Sequence, residues 1–186
     1  MLSWPDGDPA QRGTPEEVLM RAETAVERCK DRGMPVPRAV SVVLDGPRVL
    51  VIKRFRCHRT AVECAVCAAV GWRGPGCPGH DYAVLPGGHV EAGETMAEAA
   101  VRELREETTL IARVEHVLWT GLHNDRPATY FLMADVEGHA RLSGPEAEAN
   151  APDNRFELCW ATVDDLNPLG LHPAEARQRL AGLLGR

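Results

Sequence analysis

Apolar residues along this chain either cluster and alternate as in strands or recur at helical spacing, and the pattern predicts a mixed α/β series from residue 38 onward. Arg38 to Leu44 and Arg48 to Phe55 are dense in Val, Leu and Ile, with the hairpin signal Asp45-Gly46-Pro47 between them. Ile111 to Leu122 and Ala128 to Val136 form a second strand pair, split by Asn124-Asp125-Arg126-Pro127. Phe156 to Trp160 alternates apolar and polar as a further strand, and Thr162 to Leu166 reads as a short helix start. Helical spacing marks three other stretches. Ala97, Ala100, Val101 and Leu104 recur at i, i+3, i+4 and i+7, and Thr95 with Glu98 makes a capping box that starts this helix at Met96. Ala176, Leu180, Leu183 and Leu184 give 173–184 an apolar face. Ahead of the strands, Thr14-Pro15-Glu16-Glu17 combines an N-cap, a first-turn proline and a capping glutamate. The stripe Val18, Leu19, Ala22, Ala25, Val26 and Cys29 continues that helix to about Arg32, where Gly33 and Pro35 stop it.

The reading is therefore one principal unit, 38–186, with an N-terminal extension, 1–37, whose helix packs on the core or on a second copy of the chain as a homodimer contact. Residues 1–13, rich in Pro, Gly and Asp, read as a flexible start. At 186 residues, 44% hydrophobic and 26% charged, the composition is that of a globular domain with a sizeable core. A net charge of −6 argues against a general nucleic-acid binder or a basic membrane-surface protein. No apolar run approaches the roughly 20 residues of a membrane span, and the first residues lack a basic start and apolar middle, so the expected location is the cytoplasm.

Charge within the Met96 helix changes the picture more than the overall balance does. Glu103, Glu106 and Glu107 recur at i, i+3 and i+4, so three like charges gather on one side and disfavour the bare helix. A solvated acidic face is the ordinary meaning of such a run. The turn Pro86-Gly87-Gly88 favours another: glycine lets a main-chain carbonyl turn toward the same place, and hard divalent cations are held by carboxylate and carbonyl oxygens. Arg102, among the acids, is placed to pair with Glu94.

This stretch resembles the Nudix box, Gly-x5-Glu-x7-Arg-Glu-U-x-Glu-Glu-x-Gly-U with U a bulky aliphatic residue. Gly88, Glu94, Arg102, Glu103, Leu104, Glu106, Glu107 and Leu110 stand in register, and Thr109 replaces the second glycine. That glycine would end the helix in a left-handed conformation, which a β-branched residue enters at a cost of roughly 1–2 kcal/mol. The resemblance implies a mixed-sheet sandwich flanked by helices, and hydrolysis of a nucleoside diphosphate linked to another group, a small nucleotide-type substrate. It implies two or three Mg²⁺ or Mn²⁺ ions on Glu103, Glu106 and Glu107 with the Gly88 carbonyl assisting, and Arg102 orienting Glu103 or Glu94. The general base is open between a box glutamate, Glu106 foremost, and a loop glutamate, Glu146 or Glu148. For the substrate, Arg54 and Arg56 end a strand that would border the cleft, Tyr82 leads into the glycine turn, and His123 borders a loop. Trp119, Tyr130 and Phe131 are core or base-stacking residues. Competing readings are a nucleotide sensor without turnover and an isomerase acting on a prenyl diphosphate, and the nature of the linked group has no signal.

Residues 57–80 are an insert holding four of the six cysteines. Cys64-x2-Cys67 and Cys77-x2-His80 fit a tetrahedral Cys₃His structural zinc site, with Cys57 and His58 as alternative ligands. Zinc would give one shape to a Gly- and Pro-rich loop with little apolar material. Reduced thiols that merely cluster are the bland alternative. Because the insert runs directly into Tyr82 and the glycine turn, it is expected to overhang the site like a lid.

Overall fold

The computed structural model describes residues 35–185 together with Thr14, Glu16, Glu17, Met20 and Glu23. Residues 1–13 and most of the predicted first helix lie outside the described residues. The backbone N–H of Glu17 donates to Thr14 Oγ1 and that of Thr14 to the Glu17 carboxylate.

Two four-stranded sheets form the centre. In the first, β1 (Arg38–Val42) lies between β5 (Gly87–His89), antiparallel, and β7 (Arg126–Glu137), parallel, and β7 pairs antiparallel with β6 (Ile111–His123). In the second, β3 (Arg48–Arg56) carries β2 (Leu44–Asp45) and β4 (His80–Val84) on one edge and β8 (Asn154–Ala161) on the other. Four helices appear among the described residues: α1 (Ala65–Ala69), α2 (Met96–Thr108), α3 (Gly144–Glu148) and α4 (Ala174–Leu184). The expected mixed-sheet sandwich with flanking helices is the observed architecture.

The alternation of β1 and β3 feeds two cores. Ala39, Val43 and Leu50 meet Met96, Ala99, Ala100 and Leu104 of α2, with Phe131 and Met133. Val40, Val42, Val49 and Val51 meet Ala176 and Leu180 of α4, with Trp119 and Tyr130. Trp119 and Tyr130 stack with ring centroids 4.5 Å apart, and both, like Phe131, are buried, so all three are core residues.

The helix α2 starts where the capping box places it: Thr95 Oγ1 accepts from the Glu98 N–H and the Glu98 carboxylate accepts from the Thr95 N–H. Its buried face is not quite the predicted one. Met96, Ala99, Ala100, Leu104, Glu107 and Thr108 are buried, whereas Ala97 and Val101 are only half-buried. The inward stripe therefore runs on into Glu107, which draws that carboxylate under the sheet. At the other end Thr109 is left-handed, with φ 62°, and its Oγ1 donates to the His139 carbonyl at 3.0 Å. Replacing it by glycine relieves the β-branched strain but loses that bond and loosens the unfolded chain. These effects offset one another, so Thr109→Gly is expected to leave stability within about 0.5 kcal/mol of the parent in a urea titration.

The remaining differences from expectation are local. Gly87–His89 is a short strand as well as a turn, because the Gly87 and Gly88 backbones pair with Val40 and Ala39. The polar stretch after Gly138 contains the one-turn helix α3, which Pro145 in its first turn favours. No described helix is long and apolar enough to cross a membrane.

Candidate active site

The carboxylates of α2 meet a cleft of about 410 Å³ bounded by both sheets. One side is α2 with the β5 turn, presenting Glu103, Glu107, Gly87 and Gly88; the facing wall is sheet two, presenting Ile52, Arg54, Tyr82, Val84 and Phe156. Arg38, His123 and His172 close one end, and Glu146 of α3 faces Glu107.

The turn explains how two carboxylates sit so close to backbone. Gly87 has φ 149°, and a Cβ there would strike the Ala39 carbonyl. At Gly88 a Cβ would overlap the Glu103 carboxylate, so this side chain packs on bare main chain. The Gly87 N–H donates to Glu107 Oε2 at 2.8 Å, and an Arg38 Nη donates to the Gly87 carbonyl. Only 8% of Glu107 is exposed. Burial pushes its carboxyl up to about 8, with Glu146 and Glu103 adding repulsion, against the relief given by the Gly87 N–H. Glu103 is also raised, by burial first, although Arg102 opposes this.

Arg102 is the hub of the acids. It grips Glu94 with two bonds of 2.8 and 2.9 Å, and donates to Glu103 at 2.9 Å, Glu106 at 3.1 Å and the His89 carbonyl at 2.9 Å. This holds the Glu94 carboxyl below the usual carboxylate range. The anticipated Arg102–Glu94 pair is thus present.

Of the residues singled out in the sequence, Glu103, Glu107, Gly88, Glu146, Arg54, Tyr82 and His123 line the one cleft. Glu106 does not: half exposed, it lies on Arg102 beside a separate open groove on the outer side of α2. Glu148, one turn end away from Glu146, and Arg56, at the exposed outer end of β3, are also absent from the lining. Arg38 and His172 were missed. Arg38 looks like an ordinary strand start in the sequence, and only the antiparallel pairing of β1 with β5 brings it to the glycine turn. His172 follows the last predicted short helix, and its Nε2 lies 2.8 Å from Asn124 Oδ1 at the β6–β7 turn. His123 is 6% exposed, its Nδ1 has no partner, and burial with the nearby Arg38 and His172 lowers it to about 4, so it is neutral at ordinary pH.

The insert makes a second cluster. Ligand atoms of Cys64, Cys67, Cys77 and His80 all lie within 4.8 Å of one another, Cys67 Sγ being 3.2 Å from His80 Nε2. Zn–S bonds near 2.3 Å give a tetrahedral edge of about 3.8 Å, so the four donors fit one ion. The Cys67 N–H points at Cys64 Sγ at 3.4 Å, and backbone donors of His58 and Gly79 help bring the Cys77 thiol down to about 6. Cys57 sits beside the cluster, its thiol donating to the Cys77 carbonyl at 3.3 Å, but neither it nor the His58 ring is among the four that converge.

The NUDIX domain family model matches residues 35–181. Over 69 residues the chain is 55% identical to an ADP-ribose pyrophosphatase of Methanocaldococcus jannaschii, a match covering 34% of this chain and 41% of that protein. Over 88 residues it is 56% identical to the m7GpppN-mRNA hydrolase NUDT17 of Xenopus laevis, covering 39% of this chain and 28% of the relative. The matches thus span less than half the length of these curated relatives. A MutT NUDIX hydrolase from Burkholderia pseudomallei superposes with a TM-score of 0.53 over 79% of this chain and 96% of that one at 24% identity, a likeness that speaks for the fold.

Proposed function

The chain belongs to the Nudix family, and from that premise we propose that it is a metal-dependent pyrophosphohydrolase that cleaves a phosphoanhydride bond in a nucleoside diphosphate derivative. The observation that carries the reading is the pair Glu103 and Glu107, withdrawn from solvent against the Gly87–Gly88 backbone and facing Glu146 across a cleft. Four carboxylates, Glu91, Glu103, Glu107 and Glu146, line the cleft against two arginines, Arg38 and Arg54, and this excess of carboxylate oxygens fits a hard divalent ion in charge and donor type. Bound Mg²⁺ or Mn²⁺, two or three ions, would supply charge neutralisation on the phosphoanhydride and a water of lowered pKa. Glu103, Glu107 and the Gly88 carbonyl would hold them, with Glu106 as the outer ligand. Arg102 keeps Glu103 and Glu94 in position rather than touching the reacting atoms. For the general base we favour Glu146 over Glu106, because Glu146 lines the cleft whereas Glu106 is engaged by Arg102. The nucleoside end would meet Arg54 and Tyr82, and His123 the phosphates or ribose at the far end.

To the insert we assign one structural Zn²⁺, on Cys64, Cys67, Cys77 and His80. The Thr109 departure lends no support to a sensor without turnover, since the helix leaves left-handed as glycine would make it. Incubating the purified protein with a panel of nucleoside diphosphate derivatives, with Mg²⁺ or Mn²⁺ and both phosphate and nucleoside monophosphate monitored, tests the proposal. Monophosphate release that requires the divalent ion is expected. Absence of turnover across the panel with either metal would return the chain to the sensor class.

A further inference from the structure

The face of sheet two that meets the cleft carries three cross-strand rows, set by register, and residues of the first two line the cleft. Val84, Ile52 and Leu158 are direct partners across β4, β3 and β8; so are Tyr82, Arg54 and Phe156, and then His80, Arg56 and Asn154. Side chains two residues apart on a strand share a face, so the rows climb one wall from apolar, to aromatic–cation–aromatic, to polar. In the middle row the Arg54 guanidinium lies 4.2 Å from the Phe156 ring centroid and 5.8 Å from that of Tyr82. All three residues line the cleft, and Arg54 Nε is buried without a partner.

His80 belongs both to the outer row and to the Cys/His cluster, one pleat from Tyr82. On the opposite face of the same strands, Gly79 lies against the Phe55 ring so closely that a Cβ would overlap it. The insert therefore grips the outer end of the β3–β4 pair from both sides. Its own apolar cluster is small, Ala61, Cys64 and Cys67 with Cys77 beside them, and this alone is too little to fix a 24-residue excursion (57–80).

We propose that zinc held by Cys64, Cys67, Cys77 and His80 is a specificity device: by fixing the end of β4 it holds Tyr82 in line with Arg54 and Phe156 as a stacking face for the base of the substrate. Arg54 and Tyr82 are positioned by it, whereas the carboxylates of α2, on the other side of the cleft, are not. The stacking half rests on the nucleotide reading above; the zinc half stands on the cluster alone. Flat π-bearing groups stack on aromatic and guanidinium faces at about 1–3 kcal/mol each, so losing the face weakens a nucleotide about 5- to 150-fold and leaves a ligand without a base unchanged.

The test uses the full chain as purified. Elemental analysis is expected to give one zinc per chain, and Co²⁺ exchanged into it the visible bands of a tetrahedral thiolate site. Titration calorimetry with Mg²⁺ present then compares ADP and CDP with inorganic pyrophosphate. Cys67→Ser is expected to lose zinc and weaken both nucleotides at least fivefold with pyrophosphate unchanged. His80→Cys completes a Cys₄ site and is expected to keep zinc and nucleotide binding, so unfolding of the first variant leaves the second, together with zinc withdrawal by a selective chelator and Mg²⁺ added back, to decide the matter. A folded native protein that carries no zinc and takes up no Co²⁺ overturns the proposal, as does equal weakening of nucleotides and pyrophosphate. Failure of pyrophosphate to bind the zinc-loaded protein instead counts against the carboxylate site, and failure of the nucleotides alone against the stacking face.

Discussion

Glu107→Gln is expected to lower turnover about 10³-fold while making the metal-free protein more stable at alkaline pH. Both effects have one cause. Glu107 is the most deeply buried of the acids, and its main protein partner is the Gly87 N–H, which a glutamine oxygen accepts equally well. What glutamine lacks is the negative charge, which only a cation in the cleft can use. For Glu107 the folded carboxyl lies at about 8, above the ordinary 4.5. The folded state thus binds the extra proton, and the stability this gives is fully present below about pH 4.5 and is lost as pH rises toward 8. The metal-free parent should therefore weaken across that window by a few kcal/mol at most, whereas the variant stays flatter. If Glu107 holds Mg²⁺ as proposed, the ion would compete with the proton for the same oxygens, so added Mg²⁺ should stabilise the parent more at pH 8 than at pH 6 and the variant little at either. Thermal melts at the two pH values, with and without Mg²⁺, measure this independently of any substrate. An unchanged kcat together with a Mg²⁺ response equal to that of the parent would remove Glu107 from the metal site.

Much of this arrangement was legible in the chain, wherever local chemistry and global packing agree. The Thr95–Glu98 capping box fixed the start of α2, and the glycine expected at Thr109 marked a left-handed exit that threonine in fact adopts. The spacing Cys64-x2-Cys67 with Cys77-x2-His80 named the four side chains that converge, because ligand pairs two apart bring their own geometry. What could not be read depends on partners distant in sequence. Arg38 is brought to the Gly87 carbonyl by strand pairing across 49 positions, and His172 reaches Asn124 across 48. The same limit shifted the buried face of α2: helical spacing defines a stripe, but which neighbouring residue is drawn under depends on the sheet. Met96 and Ala99 fill that space, and Glu107 follows them in. Equal spacing made Glu103, Glu106 and Glu107 look equivalent, yet their surroundings separate a buried acid, a half-buried one and an exposed one.

Arg102→Met should destabilise the metal-free protein by about 2–4 kcal/mol, the largest stability loss we expect from a single surface-accessible residue. The Arg102 side chain is 23% exposed, and Glu94 and Glu103 beside it only 15% and 17%, so solvent screens this network less than an ordinary surface pair. Methionine preserves much of the aliphatic packing but leaves Glu94 without its two bonds, and sets Glu103 and Glu106 against each other with no cation between them. It also frees the His89 carbonyl beside the glycine turn, so the misplacement reaches the cleft. Arg102→Lys should recover less than half of the loss, because an ammonium cannot present the planar fork that holds both Glu94 oxygens. Mg²⁺ held by Glu103 and Glu107 would offset the charge of Glu103 but not replace the two bonds Arg102 makes to Glu94, so it is expected to restore part of the stability of Arg102→Met. Urea midpoints for the three proteins, with and without Mg²⁺, decide this. A midpoint for Arg102→Met within about 0.5 kcal/mol of the parent would mean that the acids of α2 are held apart by packing alone and that the arginine does not organise them.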